Sequence, residues 1–325
     1  MSKIIGVEPW CDMSSFEEKI KIPKVSVIIP TFNRAGLVEK AIQSVLEQTY
    51  RDLEIIVCDD GSTDNTVDVV RSMQTNSDLP IKLEVLPFNL GVSAARNRAI
   101  FISGGDLIAF LDSDDMWKPD KLAKQVEFLE SDTRFIGVGC QTEYISQVNN
   151  SVVTYGPTYL LNESNEIFTL LYSCYIGTSC FLVKKNALIL AGLFDLTLKS
   201  SEDRDLWWRL PSLGRLGYIN EPLCSYRLHQ SRLSNSLCGV TGKTYIPVIM
   251  KTVWYWRDKL TEKQIRQIIS NAHFMVASDA SAARNVLLCI KHALTAIYYR
   301  HHRHQAIKLI LSTLISFFST NKSYT

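Results

Sequence analysis

Two apolar runs in this chain end in adjacent carboxylates. Leu107-Ile108-Ala109-Phe110-Leu111 opens into Asp112-Ser113-Asp114-Asp115, and Leu53-Glu54-Ile55-Ile56-Val57-Cys58 opens into Asp59-Asp60-Gly61-Ser62. Ionised carboxylates resist burial unless a cation pairs them, so such strand ends are poor packing and good ligand sites. A D-x-D spacing offers two oxygens to Mg2+ or Mn2+ and leaves coordination positions for substrate phosphates. In an open α/β sheet, ligands bind beyond the carboxyl ends of the strands. A third acid pair, Glu202-Asp203, precedes Leu206-Trp207-Trp208.

The elements that must hold these groups alternate. Val25-Ser26-Val27-Ile28-Ile29 is a β-branched run before Pro30, and Leu37, Ala41, Ile42, Val45 and Leu46 follow at helical spacing. The 53–58 strand leads through Gly61-Ser62-Thr63-Asp64 into a helix over Val67 to Met73. Ile81 to Leu86 is a third strand, Gly91 to Asn97 opens another helix, and 107–111 is the fourth strand. This alternation predicts an α/β fold, with a mostly parallel sheet flanked by helices. A further helix is expected from Lys118 to about Leu129, short strands over 136–141 and 180–183, and a helix start at Ser201. Ile265, Ile268 and Ile269, then Val286, Leu287, Ile290, Ala293 and Leu294, predict three or four packed helices over 240–325.

With 325 residues, 46% hydrophobic and 21% charged, the chain has room for one large domain and an appendage. Its net charge of +2 conceals an asymmetry: the last 85 residues are basic and the remainder mildly acidic. A basic tail suits an anionic membrane surface or an acidic partner, or is simply a solvated helical face. Eight cysteines without a C-x-x-C, one of them Cys58 inside a strand, point to reduced thiols in the cytoplasm. Met1 to Lys24 lacks an apolar signal core. Ala306 to Phe318, interrupted by Lys308, is too short to cross a bilayer, so any membrane contact is expected to be peripheral.

V-S-V-I-I-P-T-F-N-R (25–34), C-D-D-G-S-T-D-N-T (58–66), N-L-G-V-S-A-A-R-N-R-A (89–99), F-L-D-S-D-D (110–115) and S-E-D-R-D-L-W-W-R-L (201–210) together resemble the family 2 glycosyltransferases of the GT-A fold. The resemblance covers roughly residues 24–232. It divides the chain into an N-terminal extension (1–23), a GT-A domain (24–235, with a nucleotide-binding half over 24–115 and an acceptor-binding half over 116–235) and a C-terminal helical extension (236–325). It implies an inverting transfer of a sugar from a nucleotide-diphosphate donor, expected to be a UDP-sugar, to an acceptor hydroxyl on a carbohydrate or lipid-linked molecule. Mn2+ or Mg2+ would assist, and no nucleic-acid partner is expected. GDP- and dTDP-sugars stay open.

By the same resemblance, Pro30, Thr31 and Phe32 lie beside the nucleobase, and Asp60 accepts from the uracil imide. Arg96 lies near the phosphates or the carboxylates. Asp112 and Ser113 contact ribose or the metal shell, Asp114 is the principal metal ligand, and His229 adds an imidazole. Asp203 is the expected general base, supported by Glu202. Trp207 and Trp208 could stack on the acceptor, although neighbours on a helix point in different directions and at least one should be core. Blander readings exist for each: a turn cap for Asp59-Asp60, helix-dipole acids for Glu202-Asp203, a core histidine for His229. Arg300-His301-His302-Arg303-His304, followed by apolar residues, either docks on a membrane surface or packs on the main domain.

Three rivals compete. A receiver-type phosphoacceptor would place the acid pair on its first strand, but a strand and helix precede Asp59-Asp60 here. A nucleotidyltransferase would carry a glycine-rich loop after the first strand, where this chain has Pro30-Thr31-Phe32-Asn33-Arg34. A catalytically dead sugar-nucleotide-binding module would not need both the D-x-D and Asp203.

Overall fold

Val25–Thr31 is buried at every position, which explains why it reads as a continuous apolar run instead of an alternating one. The computed structural model describes residues 24–146, 152–155, 166–228 and 241–321. In its first half, β1 (Val25–Thr31), α1 (Ala35–Leu46), β2 (Leu53–Asp59), α2 (Thr66–Asn76), β3 (Ile81–Val85), α3 (Val92–Ile102) and β4 (Leu107–Phe110) alternate as predicted. β1 pairs in parallel with both β2 and β4, and β2 with β3.

The second half contributes β5 (Asp115–Trp117), α4 (Lys121–Ser131), β6 (Phe135–Ser146), β7 (Val152–Tyr155), α5 (Glu166–Ser173), β8 (Leu182–Lys184), α6 (Lys185–Leu190), α7 (Glu202–Arg209) and β9 (Arg215–Leu228). Here pairing is mixed: β8 runs antiparallel to β4 and β6, β5 to β9 and β7 to β6, while β6 and β9 are parallel. The path across the sheet is β3-β2-β1-β4-β8-β6-β9-β5, with β7 on β6. Strand order therefore reverses direction at β1 and β4, the switch point where such sheets open a crevice. The chain leaves β4 in mid-sheet and re-enters as β5 at the far edge, and Asp112-Ser113-Asp114 makes that crossing.

Side chains alternate across the sheet. Ile28, Ile56, Ile108 and Phe110 face a core completed by Ala95, Ala99, Trp207 and Trp208. Val27, Ile29, Ile55, Val57 and Ala109 face the opposite one, with Val38, Ile42 and Val126. The helical region comprises α8 (Thr241–Tyr255), α9 (Glu262–Ala282), α10 (Val286–Tyr298) and α11 (Arg303–Asn321). Its inner part joins the first core through Tyr245, Ile249, Trp256 and Ile268. The outer part packs on itself through Ala277, Ala280, Cys289, Ala293, Ala296 and Ala306. No helix among the described residues is long and apolar enough to cross a membrane. The described cysteines Cys58, Cys140, Cys174, Cys180, Cys224 and Cys289 are free.

Candidate active site

The carboxyl ends of β1 and β2 are tied together by their own acids. Asp59 accepts from Ser62 N (2.8 Å) and Ser62 Oγ (2.5 Å), which caps the turn after β2. Asp60 donates its N–H to Thr31 O (2.8 Å), and its carboxylate accepts from Leu90 N (2.7 Å) and Gly91 N (2.9 Å). Asp60 thus anchors the loop that starts α3. Gly61, which follows them, has φ +77°, and a Cβ there would stand 2.7 Å from the Phe88 backbone, so the turn requires glycine. Burial pushes the Asp60 carboxyl above its ordinary value, the two backbone donors resist, and Asp59 adds to the rise. Each carboxylate oxygen carries two lone pairs, so Asp60 retains acceptor capacity toward a ligand. Thr31 is buried, and its Oγ1 has no hydrogen-bond partner among the described residues. Pro30 is buried in β1, while Phe32 is exposed.

Arg96 on α3 is the hub of the second cluster. Its Nη2 donates to Asp112 Oδ1 and its Nη1 to Glu202 Oε1, both at 2.8 Å, and its guanidinium lies 5.3 Å from the Phe194 ring centroid. Burial disfavours the Arg96 charge, but Asp112 and Glu202 hold its pKa above the ordinary value. Glu202 is itself pushed up, first by burial and then by the neighbouring Asp203 charge, with Arg96 opposing. Asp203 is half-buried; its Oδ1 accepts from Arg204 N (2.7 Å) and its Oδ2 from Thr178 Oγ1 (3.2 Å). Ser179 clamps the crossing loop, accepting from Asp112 N (3.1 Å) and donating to Asp115 Oδ2 (2.6 Å). Arg227 Nε, from β9, donates to the Asp114 carbonyl (2.6 Å).

Residues 26–190 match the family model described as glycosyl transferase family 2. An uncharacterized glycosyltransferase of Rickettsia typhi is 32% identical over 264 residues, 79% of each chain. The chain belongs to glycosyl transferase family 2. The transferase is also 35% identical over 214 residues to the UDP-Glc:alpha-D-GlcNAc-diphosphoundecaprenol beta-1,3-glucosyltransferase WfgD of Escherichia coli, covering 65% of this chain and 80% of that one. Among solved structures, residues 1–349 of S. aureus TarS, crystallised with UDP-GlcNAc, superpose with a TM-score of 0.65 at 20% identity, covering 89% of both chains. That likeness gives the GT-A fold with C-terminal helices. The protein is an enzyme that transfers sugars.

In the transferase, Arg96, Asp112 and Glu202 meet at the β4–β5 crossing, whose loop also carries Ser113 and Asp114, with Asp203 next to Glu202 in the chain. Pro30, Thr31, Phe32 and Asp60 stand at the neighbouring strand ends. His229 lies outside the described residues. Trp207 and Trp208 require a correction: both are completely buried, so neither indole offers a face to an acceptor. Trp207 packs against Phe110, Phe181 and Phe194 at 4.5–5.7 Å between ring centroids, and Trp208 stands 6.0 Å from Tyr245. Both sides of α7 are covered, which leaves no solvent face for either ring. Thr178, Ser179 and Arg227 were not singled out by sequence, because serine, threonine and arginine in loops and strands carry no local mark of a long-range partner.

Among the described residues, no three His, Cys, Asp or Glu side chains are grouped closely enough to hold a metal by themselves. Asp112 and Asp114 offer carboxylate oxygen, the donor that Mg2+ and Mn2+ prefer. These residues fit a cation whose shell is completed by substrate phosphates and water, not an all-protein cage.

Proposed function

We propose that the transferase moves a hexosyl or N-acetylhexosaminyl group from a UDP-sugar to an acceptor hydroxyl, with inversion, in polysaccharide, lipopolysaccharide or glycolipid assembly. The observation that carries this reading is the double pairing of Arg96, which ties Glu202, the neighbour of Asp203 at the start of α7, to the D-x-D loop. The start of α7, which carries Asp203, is thereby held against the D-x-D loop, as a single displacement needs. Glu202 is engaged by Arg96, so the base role falls to Asp203, positioned by Thr178. Asp203 takes the acceptor proton, and the acceptor oxygen attacks the anomeric carbon from the face opposite the nucleotide. The anomeric carbon–oxygen bond breaks, and its electron pair leaves with UDP. When bound at Asp112 and Asp114, Mg2+ or Mn2+ supplies neutralising charge to the diphosphate.

Thr31, with its unpartnered Oγ1, and the remaining lone pairs of Asp60 are the groups we assign to the nucleotide, with Pro30 and Phe32 flanking the base. The name of WfgD specifies a UDP-sugar donor and a diphosphoundecaprenol-linked acceptor, which supports uracil and a lipid-linked acceptor here. The test is a calorimetric titration of UDP, GDP and dTDP with and without Mn2+. Mn2+-dependent binding of UDP in preference to the others is expected; binding of none of them would move the weight to an inactive scaffold.

A further inference from the structure

The outer helical hairpin leaves two rows of bulky apolar side chains facing outward. On α10, Leu287 is 83% and Tyr298 78% exposed, with Leu294 between them, and these positions share one helical face. On α11, Ile307, Leu311 and Ile315 recur every fourth residue and are exposed, with Ile315 at 69%. The fully buried apolar positions are small, Cys289, Ala293, Ala296 and Ala306, with Leu288, Ile297, Leu309 and Ile310 partly buried against them. Isolated exposed apolar residues are ordinary, but rows of them on two packed helices mark an interaction surface.

The charge around these rows has one sign. No acidic residue follows Asp279, while Arg284, Lys291, Arg300, Arg303, Lys308 and Lys322 do. Lys291 lies on the Leu287–Leu294–Tyr298 face, and Lys308 is exposed beside Ile307. Where α10 ends, a cavity of about 550 Å³, open to solvent, is lined by Lys263, Arg266, Gln267, Tyr299, Arg300 and His301, with Glu262, paired to Arg266 at 3.0 Å, as the single acid. Ordinary solvated helices interleave both signs; an apolar face rimmed only by cations suits an anionic lipid surface.

We propose that α10 and α11 lie on an anionic bilayer, with the apolar rows in the headgroup–acyl boundary and the cavity receiving a headgroup phosphate. This contact is independent of the donor and base assignments, and it would hold the active site near a membrane-borne acceptor.

The test is flotation of the full chain with phosphatidylcholine vesicles and with phosphatidylcholine–phosphatidylglycerol vesicles, at low and high salt. The wild type should float with the anionic vesicles only, and less at high salt. Lys291→Glu/Arg300→Glu/Lys308→Glu should lower partitioning by about tenfold or more, given the usual weight of each cation near such a surface. Leu294→Ser/Leu311→Ser should also reduce it, with helical content and nucleotide binding unchanged. Absence of flotation, or flotation indifferent to lipid charge, overturns the proposal. So does a wild-type dimer that dissociates on Leu294→Ser/Leu311→Ser, because a second copy would then be the occupant.

Discussion

The sheet half and the outer helices distribute charge and bulk in opposite ways. Around β1, β2 and β4, the large apolar side chains are inside and ionisable groups are buried with partners: Asp59, Asp60, Arg96 and Asp115 are all 4% exposed or less, and all are hydrogen-bonded. In α10 and α11 the fully buried positions are alanine-rich, and a set of large apolar groups, Leu287, Leu294, Tyr298, Leu311 and Ile315, faces out. Buried charge has to be compensated or it unfolds the protein, so its concentration at the strand ends marks a built site. Exposed apolar mass carries no such cost to folding, and it marks a surface waiting for something to cover it.

The contrast is easiest to break through packing. Trp207→Ala should cost about 3–5 kcal/mol in denaturant unfolding, the usual loss for a buried large aromatic. Leu287→Ser, on the outer face, should change stability by less than about 0.5 kcal/mol. Similar losses at the two positions would dissolve the distinction. Next in size is Arg96→Ala, which strands Glu202 and Asp112 without their cation. A loss of about 3 kcal/mol is expected, with weaker nucleotide binding, because breaking a buried pair leaves an uncompensated charge. Arg96→Lys should recover part of the stability but not both hydrogen bonds, since a point charge cannot reproduce the guanidinium fork.

A further effect is a matter of pH and belongs to the helices. His273 and His292 face each other across α9 and α10, with Nδ1 atoms 2.9 Å apart. Burial pushes His273 down to about 4, with the His292 and Lys291 charges adding, and burial also lowers His292. Folded values below the unfolded one mean that stability is complete above about pH 6.5 and declines as pH falls toward 4. Melting temperature should therefore drop across that window. A His273→Gln/His292→Gln variant should show a flatter profile there, and an unchanged slope would remove the pair from the account.

The strands were legible because they are extreme cases. Val25–Ile29, Leu53–Cys58 and Leu107–Leu111 are buried on both faces and so are apolar apart from Ser26 and Glu54, and the second and third open into acids at the predicted end. The helical tail was legible through its 3.6-residue period, although that period did not say which apolar face would be left outside. Arg96, Asp112 and Glu202 were legible as a set, but their mutual pairing was not, since it joins positions 16 and 106 residues apart. Ser179, bonded to both Asp112 and Asp115, lies in a short turn before β8 whose sequence, Thr178-Ser179-Cys180, looks like any polar turn. Helical direction alone places at least one of the tryptophans in the core; both are there because aromatic rings cover one side of α7 and α8 the other.

Asp203→Asn tests the central claim most directly, with UDP affinity and the rate of sugar transfer measured on the same preparation. The account predicts UDP affinity close to that of the wild type and transfer slower by about 10²–10⁴-fold, the usual weight of a general base. Transfer that persists near the wild-type rate would show that Asp203 is not the base.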